Sequence, residues 1–144
     1  MRLLENDKLS NRLVNKLTES NTEKNYSARE VFEMAKERRV QNGKNPEDIK
    51  IAAENDTYIL SATKVDDTYS DIVLNIHSSD RKYNIYISMD QDYNGKVLSA
   101  KVGWPSIGAV PSDEAKEFAD ELMSAAEFAT MIDGKDYSNL FKEN

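Results

Sequence analysis

The feature that most constrains the fold is a change in hydrophobic period near Thr57. Before it, apolar residues recur with the spacing of amphipathic helices. From Thr57 to Trp104 they alternate with polar residues, as Ile72, Leu74 and Ile76 do. A period of two is typical of half-buried strands, and a period near 3.6 is typical of helices. The pattern predicts a single α+β domain over residues 1–144, with N-terminal helices, a four-stranded antiparallel meander and a C-terminal amphipathic helix packed on one face.

The predicted meander occupies residues 57–104 and has short polar turns between its strands. Asn94-Gly95 is the strongest of these turn signals, because both residues tolerate a positive φ. One face of the sheet is apolar and the other polar, which fits a sheet covered by helices on one side. The four predicted strands are Tyr58–Val65, Asp71–Ser78, Lys82–Met89 and Val97–Trp104.

The N-terminal part, residues 1–54, is predicted to be helical. Leu9, Leu13 and Leu17 form the apolar stripe of a first helix over Leu3–Thr18. A second helix begins at the capping box Ser27-Ala28-Arg29-Glu30 and ends at Asn42-Gly43. Asn45-Pro46 then resembles a helix start, which predicts a short third helix reaching about Glu54.

The last helix is predicted over residues 112–132, with Ser112 as its cap and Asp133-Gly134 as its end. A narrow apolar stripe would pack on the sheet. It consists of Ala115, Phe118, Ala119, Leu122, Ala125, Ala126 and Ala129.

Two large apolar residues of this helix do not fit the stripe. On a helical wheel Phe128 and Met131 point away from it, beside Glu117 and Glu121. One interpretation is that the tail, residues 133–144, folds back and covers them with Tyr137, Leu140 and Phe141. The other is that Glu117, Glu121, Phe128 and Met131 form a protein-binding or homodimer surface.

The charge of the chain is uneven. The net charge is −7, with 11 Lys and Arg against 9 Asp and Glu in residues 1–50, and 8 against 17 in residues 51–144. An acidic surface argues against nucleic-acid or membrane binding and favours a partner with a basic surface. The absence of cysteine, of an apolar leader and of a membrane-spanning run predicts a cytoplasmic protein.

The sequence contains only weak motifs for metal binding or catalysis. Asp90-Gln91-Asp92-Tyr93-Asn94-Gly95 matches the first half of a calcium loop, but Lys101 stands where the bidentate Glu is needed, so a hairpin turn is favoured. His77 is the only histidine and has no metal-ligand pattern around it. Asp66, Asp67 and Asp71 cluster in one turn and leave a metal-dependent enzyme as a third class of function. No catalytic residue, metal or cofactor is assigned.

An alternative function is nucleic-acid binding through the basic N-terminal helices. Lys36, Arg38 and Arg39 could contact phosphates, but cations near a helix C-terminus are also favoured by the helix dipole. The candidate set is Arg29, Lys36, Arg38, Arg39 and Lys44.

The C-terminal half resembles small secretion-chaperone-like domains. The resemblance rests on the order of strand Lys82–Met89, the Asn94-Gly95 turn, a second strand, and Ser112-Asp113-Glu114-Ala115 opening an acidic helix. Those chaperones interleave a helix between strands, whereas the strands here are consecutive, so no family is assigned. The Asn-, Asp- and Lys-rich composition is also similar to that of bacterial and phage accessory proteins.

Together these observations predict a non-enzymatic, acidic protein-binding module. Its action would be to inhibit or chaperone a partner protein, for example a host enzyme that processes nucleic acid, through charge steering and a few apolar anchors.

Overall fold

A computed structural model describes residues 26–66, 68–79 and 82–142 of the chain. It is an α+β structure with two helices and two antiparallel sheets. The first predicted helix, Leu3–Thr18, lies outside the described residues. The elements in chain order are helix α1 (Ala28–Gln41), strands β1 (Ile49–Glu54), β2 (Tyr58–Asp66), β3 (Asp71–Ser78), β4 (Tyr86–Gln91) and β5 (Val97–Gly103), and helix α2 (Ser112–Ile132).

Helix α1 begins at the predicted capping box. The Ser27 hydroxyl accepts from the backbone N–H of Glu30 at 3.1 Å, and Glu30 Oε1 accepts from the N–H of Ser27 at 2.9 Å. Two N–H groups that the helix cannot satisfy are therefore paired at its start. The prediction is confirmed, and so is the end of the helix before Gly43, where φ is +104°.

The predicted third helix is wrong. Pro46–Asp48 forms a single 3-10 turn, and the chain continues as β1, which pairs antiparallel with β2. Ile49 is buried in the core, whereas Lys50 is exposed, so this segment follows the period of a strand. Burial of Ile49 and Ile51 beneath α1 outweighs the local helix-start signal of Asn45-Pro46.

The four-stranded meander is also wrong. Strands β1, β2 and β3 form one sheet, and β4 and β5 form a separate hairpin. The strand predicted from Lys82 begins only at Tyr86, because Asn84 has a φ of +56°, which interrupts extended backbone. Tyr83 is turned instead toward α2, where its hydroxyl donates to Glu117 Oε1 at 3.0 Å.

The three-stranded sheet is covered on both faces. Helix α1 packs on one face through Phe32, which meets Ile49 and Ile59. On the other face, Leu60 and Leu74 belong to a larger apolar cluster that includes residues of α2 and of the β4–β5 hairpin. The hairpin prediction at Asn94-Gly95 is confirmed: Asp92 Oδ1 accepts from the N–H of Asn94 and of Lys96, each at 2.9 Å, within the turn that joins β4 to β5.

Helix α2 begins at Ser112, but the capping role predicted for this residue is wrong. Pro111 occupies the cap position and no side chain bonds the free N–H groups. After α2 the chain returns to the hairpin, where the N–H of Tyr137 donates to the carbonyl of Gly95 and that of Val97 donates to the carbonyl of Lys135, both at 2.8 Å. Within the described residues, neither helix is at once long enough and apolar enough to span a membrane.

Candidate functional site

The outer side of α2 presents exposed apolar side chains in a row with exposed acidic side chains. Asp120, Met123, Glu127 and Met131 recur with helical spacing and are all exposed, with Met123 at 60% and Met131 at 41%. We call these four residues the acidic outer face. The helix has six acidic residues and one lysine; Met123 lies between Asp120 and Glu127, and Met131 lies one turn after Glu127.

Phe128 does not lie on this surface, which corrects the sequence-based interpretation. Its side chain is fully buried and stacks on Tyr58, with 5.7 Å between the ring centroids and 25° between the ring planes. The buried side of α2 is rotated about the helix axis from the predicted stripe, toward Phe128 and Ile132. Ala115 and Ala119 are exposed instead, because burying Phe128 and Ile132 removes far more apolar area from water than burying two alanines.

The tail packs on the core, but it does not cover both residues, Phe128 and Met131, that the intramolecular interpretation assigned to it. Tyr137, Leu140 and Phe141 are partly buried against the same apolar cluster that contains Phe128. Lys50 fixes the end of the tail by donating to the carbonyl of Leu140 at 3.1 Å. Met131, in contrast, stays largely exposed at 41%.

Glu117 is held by two neighbours. Its Oε1 accepts from Lys82 Nζ at 2.9 Å and from the Tyr83 hydroxyl at 3.0 Å. The hydrogen bond from Lys82, followed by that from Tyr83, lowers the pKa of Glu117, and the same carboxylate raises the pKa of Lys82. Glu121 is half-buried, so neither glutamate is as available to a partner as Asp120 or Glu127.

Four of the five basic residues of the alternative hypothesis contact other groups of the chain. Arg29 makes two hydrogen bonds to Glu54, at 3.0 and 2.7 Å, and the hydrogen bond lowers the pKa of that carboxyl. Arg39 donates to the buried Thr63 hydroxyl, and Lys44 Nζ lies 3.4 Å from a backbone carbonyl of β2. Lys36 lies 6.0 Å from the centroid of the Phe32 ring, and Arg38 is exposed.

The histidine and the turn aspartates that the sequence offered for catalysis or metal binding make hydrogen bonds to nearby groups of the chain. His77 Nε2 lies 2.9 Å from Ser61 Oγ, and Ser61 is fully buried, so the hydroxyl of this pair is closed to solvent. Asp66 Oδ1 accepts from the N–H of Thr68 at 2.8 Å within its turn, and Asp67 lies outside the described residues. Among residues 26–66, 68–79 and 82–142, no group of three or more His, Asp and Glu side chains is arranged to hold a metal ion.

Sequence reasoning missed Met123, whose side chain is the most exposed of the apolar residues on α2. The sequence did contain a signal for this. A stripe made mainly of alanine buries little apolar area, so the larger side chains decide which face of the helix packs on the core. Comparison with other proteins adds no constraint on this surface. No protein-family model, curated protein or solved structure matches the chain.

Proposed function

We propose that this chain is a protein-binding module that uses the acidic outer face of α2 to bind a partner with a basic surface. The observation that carries the proposal is the exposure of two methionines, Met123 and Met131, in a row with Asp120 and Glu127. Exposed apolar side chains that share one face and are rimmed by polar residues are typical of protein interaction sites.

The two kinds of residue would contribute differently to such a complex. Asp120 and Glu127 are exposed carboxylates on a helix with six acidic residues and one lysine, and their field would accelerate encounter with a cationic surface. Met123 and Met131 are flexible and polarizable, so they adapt to the apolar part of a partner and slow dissociation. Occupying a basic surface in this way would inhibit or chaperone the partner.

The experiment is a quantitative capture from cells that naturally produce the chain. Wild type, Asp120→Lys/Glu127→Lys and Glu33→Lys/Glu37→Lys would be compared at low and moderate salt. The last variant is a matched control, since Glu33 and Glu37 are also exposed helical acids and the change in net charge is the same. We expect wild type and control to retain a basic protein in a salt-sensitive manner, and the α2 variant to lose it.

A second variant separates charge from apolar anchoring. Met123→Ala/Met131→Ala should leave the association rate nearly unchanged and increase the dissociation rate, because the steering charges remain. Equal capture by all variants, or equal loss from both charge-reversal variants, would show that the acidic outer face is not the binding surface.

A further inference from the structure

A pocket opens where α1 ends and leaves the far end of β2 and β3 uncovered. Its volume is about 360 Å³. Thr63 is buried beneath the helix and pairs with Val73 on β3, so the two side chains share one face of the sheet. Beyond the helix end this face is open, since Val65 is 48% exposed and Val73 is 37% exposed. The pocket thus has an apolar floor, and the residues that line it are Arg39, Asn42, Lys44, Thr63, Val65 and Val73.

The turn that ends α1 brings two cationic residues to this pocket. Gly43 has a φ of +104°, which allows the chain to form a Schellman motif. The N–H of Gly43 donates to the carbonyl of Val40 at 3.0 Å, and the N–H of Lys44 donates to the carbonyl of Arg39 at the same distance. The motif is frequently accompanied by an apolar contact between residues at the positions of Arg39 and Lys44. Here both residues are cations, so the turn directs two like charges to one pocket.

Both cationic groups lie against β2, at the floor of the pocket. Arg39 Nη1 donates to the hydroxyl of Thr63. Lys44 Nζ lies 3.4 Å from the carbonyl of Lys64, the next residue of the strand. Both acceptors are neutral, so neither contact compensates a positive charge. The guanidinium and the ammonium group each have further N–H donors for a ligand.

The charge of this pocket favours an anion. None of its lining residues is acidic, and within the described residues neither cation makes an ion pair. Asp66, at the end of β2, accepts from the N–H of Thr68 within its own turn. The dipole of α1 contributes only about half a negative charge at this end, which is less than the charge of Arg39 and Lys44 together. The lining of the pocket therefore has a net positive charge.

We propose that this pocket binds a small amphiphilic carboxylate. Its carboxylate would accept from Arg39 and Lys44, and its apolar body would cover the two exposed valines. Charge-assisted hydrogen bonds to a carboxylate are stronger than those to neutral acceptors, and covering the valines removes apolar area from water. The proposal goes beyond the proposed function, since the pocket lies on the opposite face of the three-stranded sheet from α2.

The size and the mixed lining of the pocket select this class of ligand. A volume of about 360 Å³ lies at the lower end of the range for small-molecule sites. The phosphate backbone of a nucleic acid would satisfy the cations but leave Val65 and Val73 in water. A ligand with one anionic group and an apolar body uses both parts of the lining.

The test uses sodium octanoate as the probe and follows the methyl NMR signals of the full chain. Two control compounds divide the probe: octanamide keeps the apolar chain without the charge, and acetate keeps the carboxylate without the chain. We expect octanoate to shift the methyl signals of Val65 and Val73 until they saturate. Each control should bind about tenfold or more weakly, since one loses the charged hydrogen bonds and the other loses the buried methylene groups.

A matched pair of variants tests the cationic part of the pocket. Arg39→Gln removes a charge that lines the pocket, whereas Arg38→Gln removes the same charge from the neighbouring, exposed position outside it. We expect Arg39→Gln to weaken octanoate binding about tenfold, and Arg38→Gln to change it much less. Lys44→Gln should weaken binding in the same direction without removing the hydrogen bond to Thr63. Thermal unfolding of the three variants would verify that they fold.

Several results would overturn the proposal. Absence of a shift at Val65 and Val73, or equal binding of octanoate and octanamide, would show that the cations do not select the ligand. Equal binding of octanoate and acetate would leave no role for the apolar floor. Equal weakening by Arg38→Gln and Arg39→Gln would indicate a general effect of net charge. Shifts of the two valines that depend on protein concentration without octanoate would indicate that a second copy covers the pocket.

Discussion

The two faces of strand β2 are buried in different ways. Residues 58–63 are all buried, yet Tyr58, Leu60 and Ala62 face an apolar cluster completed by α2, whereas Ser61 and Thr63 lie on the face toward α1. A strand buried on both sides normally reads as a continuous apolar run. The face toward α2 is held by the larger apolar cluster, whereas the face toward α1 combines a smaller cluster around Phe32 and Ile59 with hydrogen bonds between polar side chains.

The face toward α1, here called the polar face, has a smaller apolar cluster than the face toward α2 and also buries polar side chains. Ser61 pairs with His77 at 2.9 Å, and the His77 ring meets the edge of Phe32 with 6.1 Å between centroids. Asn75 Nδ2 is buried with no hydrogen-bond partner among the described residues. A buried hydrogen bond between side chains contributes little net stability, and a buried amide without a partner costs free energy. We therefore expect the α2 side to dominate the free energy of unfolding.

The largest predicted effect compares the aromatic residues of the two faces. Phe128→Ala should lower the free energy of unfolding by about 5 kcal/mol, and Phe32→Ala by about 3 kcal/mol. Phe128 is fully buried in the larger cluster, so its removal leaves a cavity enclosed by more buried side chains than the removal of Phe32. Urea unfolding followed by circular dichroism measures both values. If Phe32→Ala lowered the free energy of unfolding more than Phe128→Ala, the α1 side of the sheet would contribute more to stability than the α2 side.

Ser61→Ala tests the polar face. The substitution removes the hydroxyl that pairs with His77 and leaves a ring nitrogen without this partner, at a cost of about 1–3 kcal/mol. Ser99→Ala is the matched control, since Ser99 is also a strand serine, but it donates at 3.1 Å to the exposed Asp90. The control should lose less than about 0.5 kcal/mol. Equal losses in urea unfolding would mean that the buried pair has no special role.

Ser27→Ala tests whether α1 is stabilised locally rather than by its packing. Loss of the capping hydrogen bond to the N–H of Glu30 should cost about 1 kcal/mol. Ser112→Ala, at the start of α2 where no side chain caps the helix, should be nearly neutral. Thermal unfolding of the two variants side by side measures the difference. A destabilising Ser112→Ala would contradict the assignment of Pro111 to the cap position.

The smallest predicted effect is a pH dependence on the α2 side. The folded pKa of Glu117 is lowered, first by the hydrogen bond from Lys82, so its contribution to stability is complete above the ordinary pKa of 4.5 and is lost as pH falls through the folded value. Glu117→Gln should therefore destabilise slightly at pH 7 and lose this effect in acid. In a Lys82→Met background the pH dependence should shrink. A difference between Glu117→Gln and wild type that grows in acid would contradict the sign.

Local signals predicted the elements that depend on local contacts. The capping box of α1 and the Asn94-Gly95 hairpin were predictable because each is formed by residues close in sequence. Strand β1 was not, since its conformation depends on pairing with β2 and on burial of Ile49 beneath α1. The break between β3 and β4 was not signalled either, because Asn84 adopts a positive φ without a glycine.

The acidic helix was predictable in extent but not in rotation about its axis. Its ends follow from Pro111 and Gly134, whereas its rotation depends on the contact between Phe128 and Tyr58, which are far apart in the chain. The exposure of Met123 follows from that rotation. When a contact between distant residues decides which side chains face outward, the nearby sequence does not predict their exposure. This part of the surface could therefore be identified only from the structure.

The chain contains one tryptophan, Trp104, which follows directly after Gly103 at the end of β5 and is 51% exposed. An indole in this position emits from a partly aqueous environment, and an apolar cover shifts its emission to shorter wavelength. With no second tryptophan to dilute the signal, the unmodified protein carries its own optical reporter for the end of β5. Changes at this strand edge can therefore be followed in real time by stopped-flow methods.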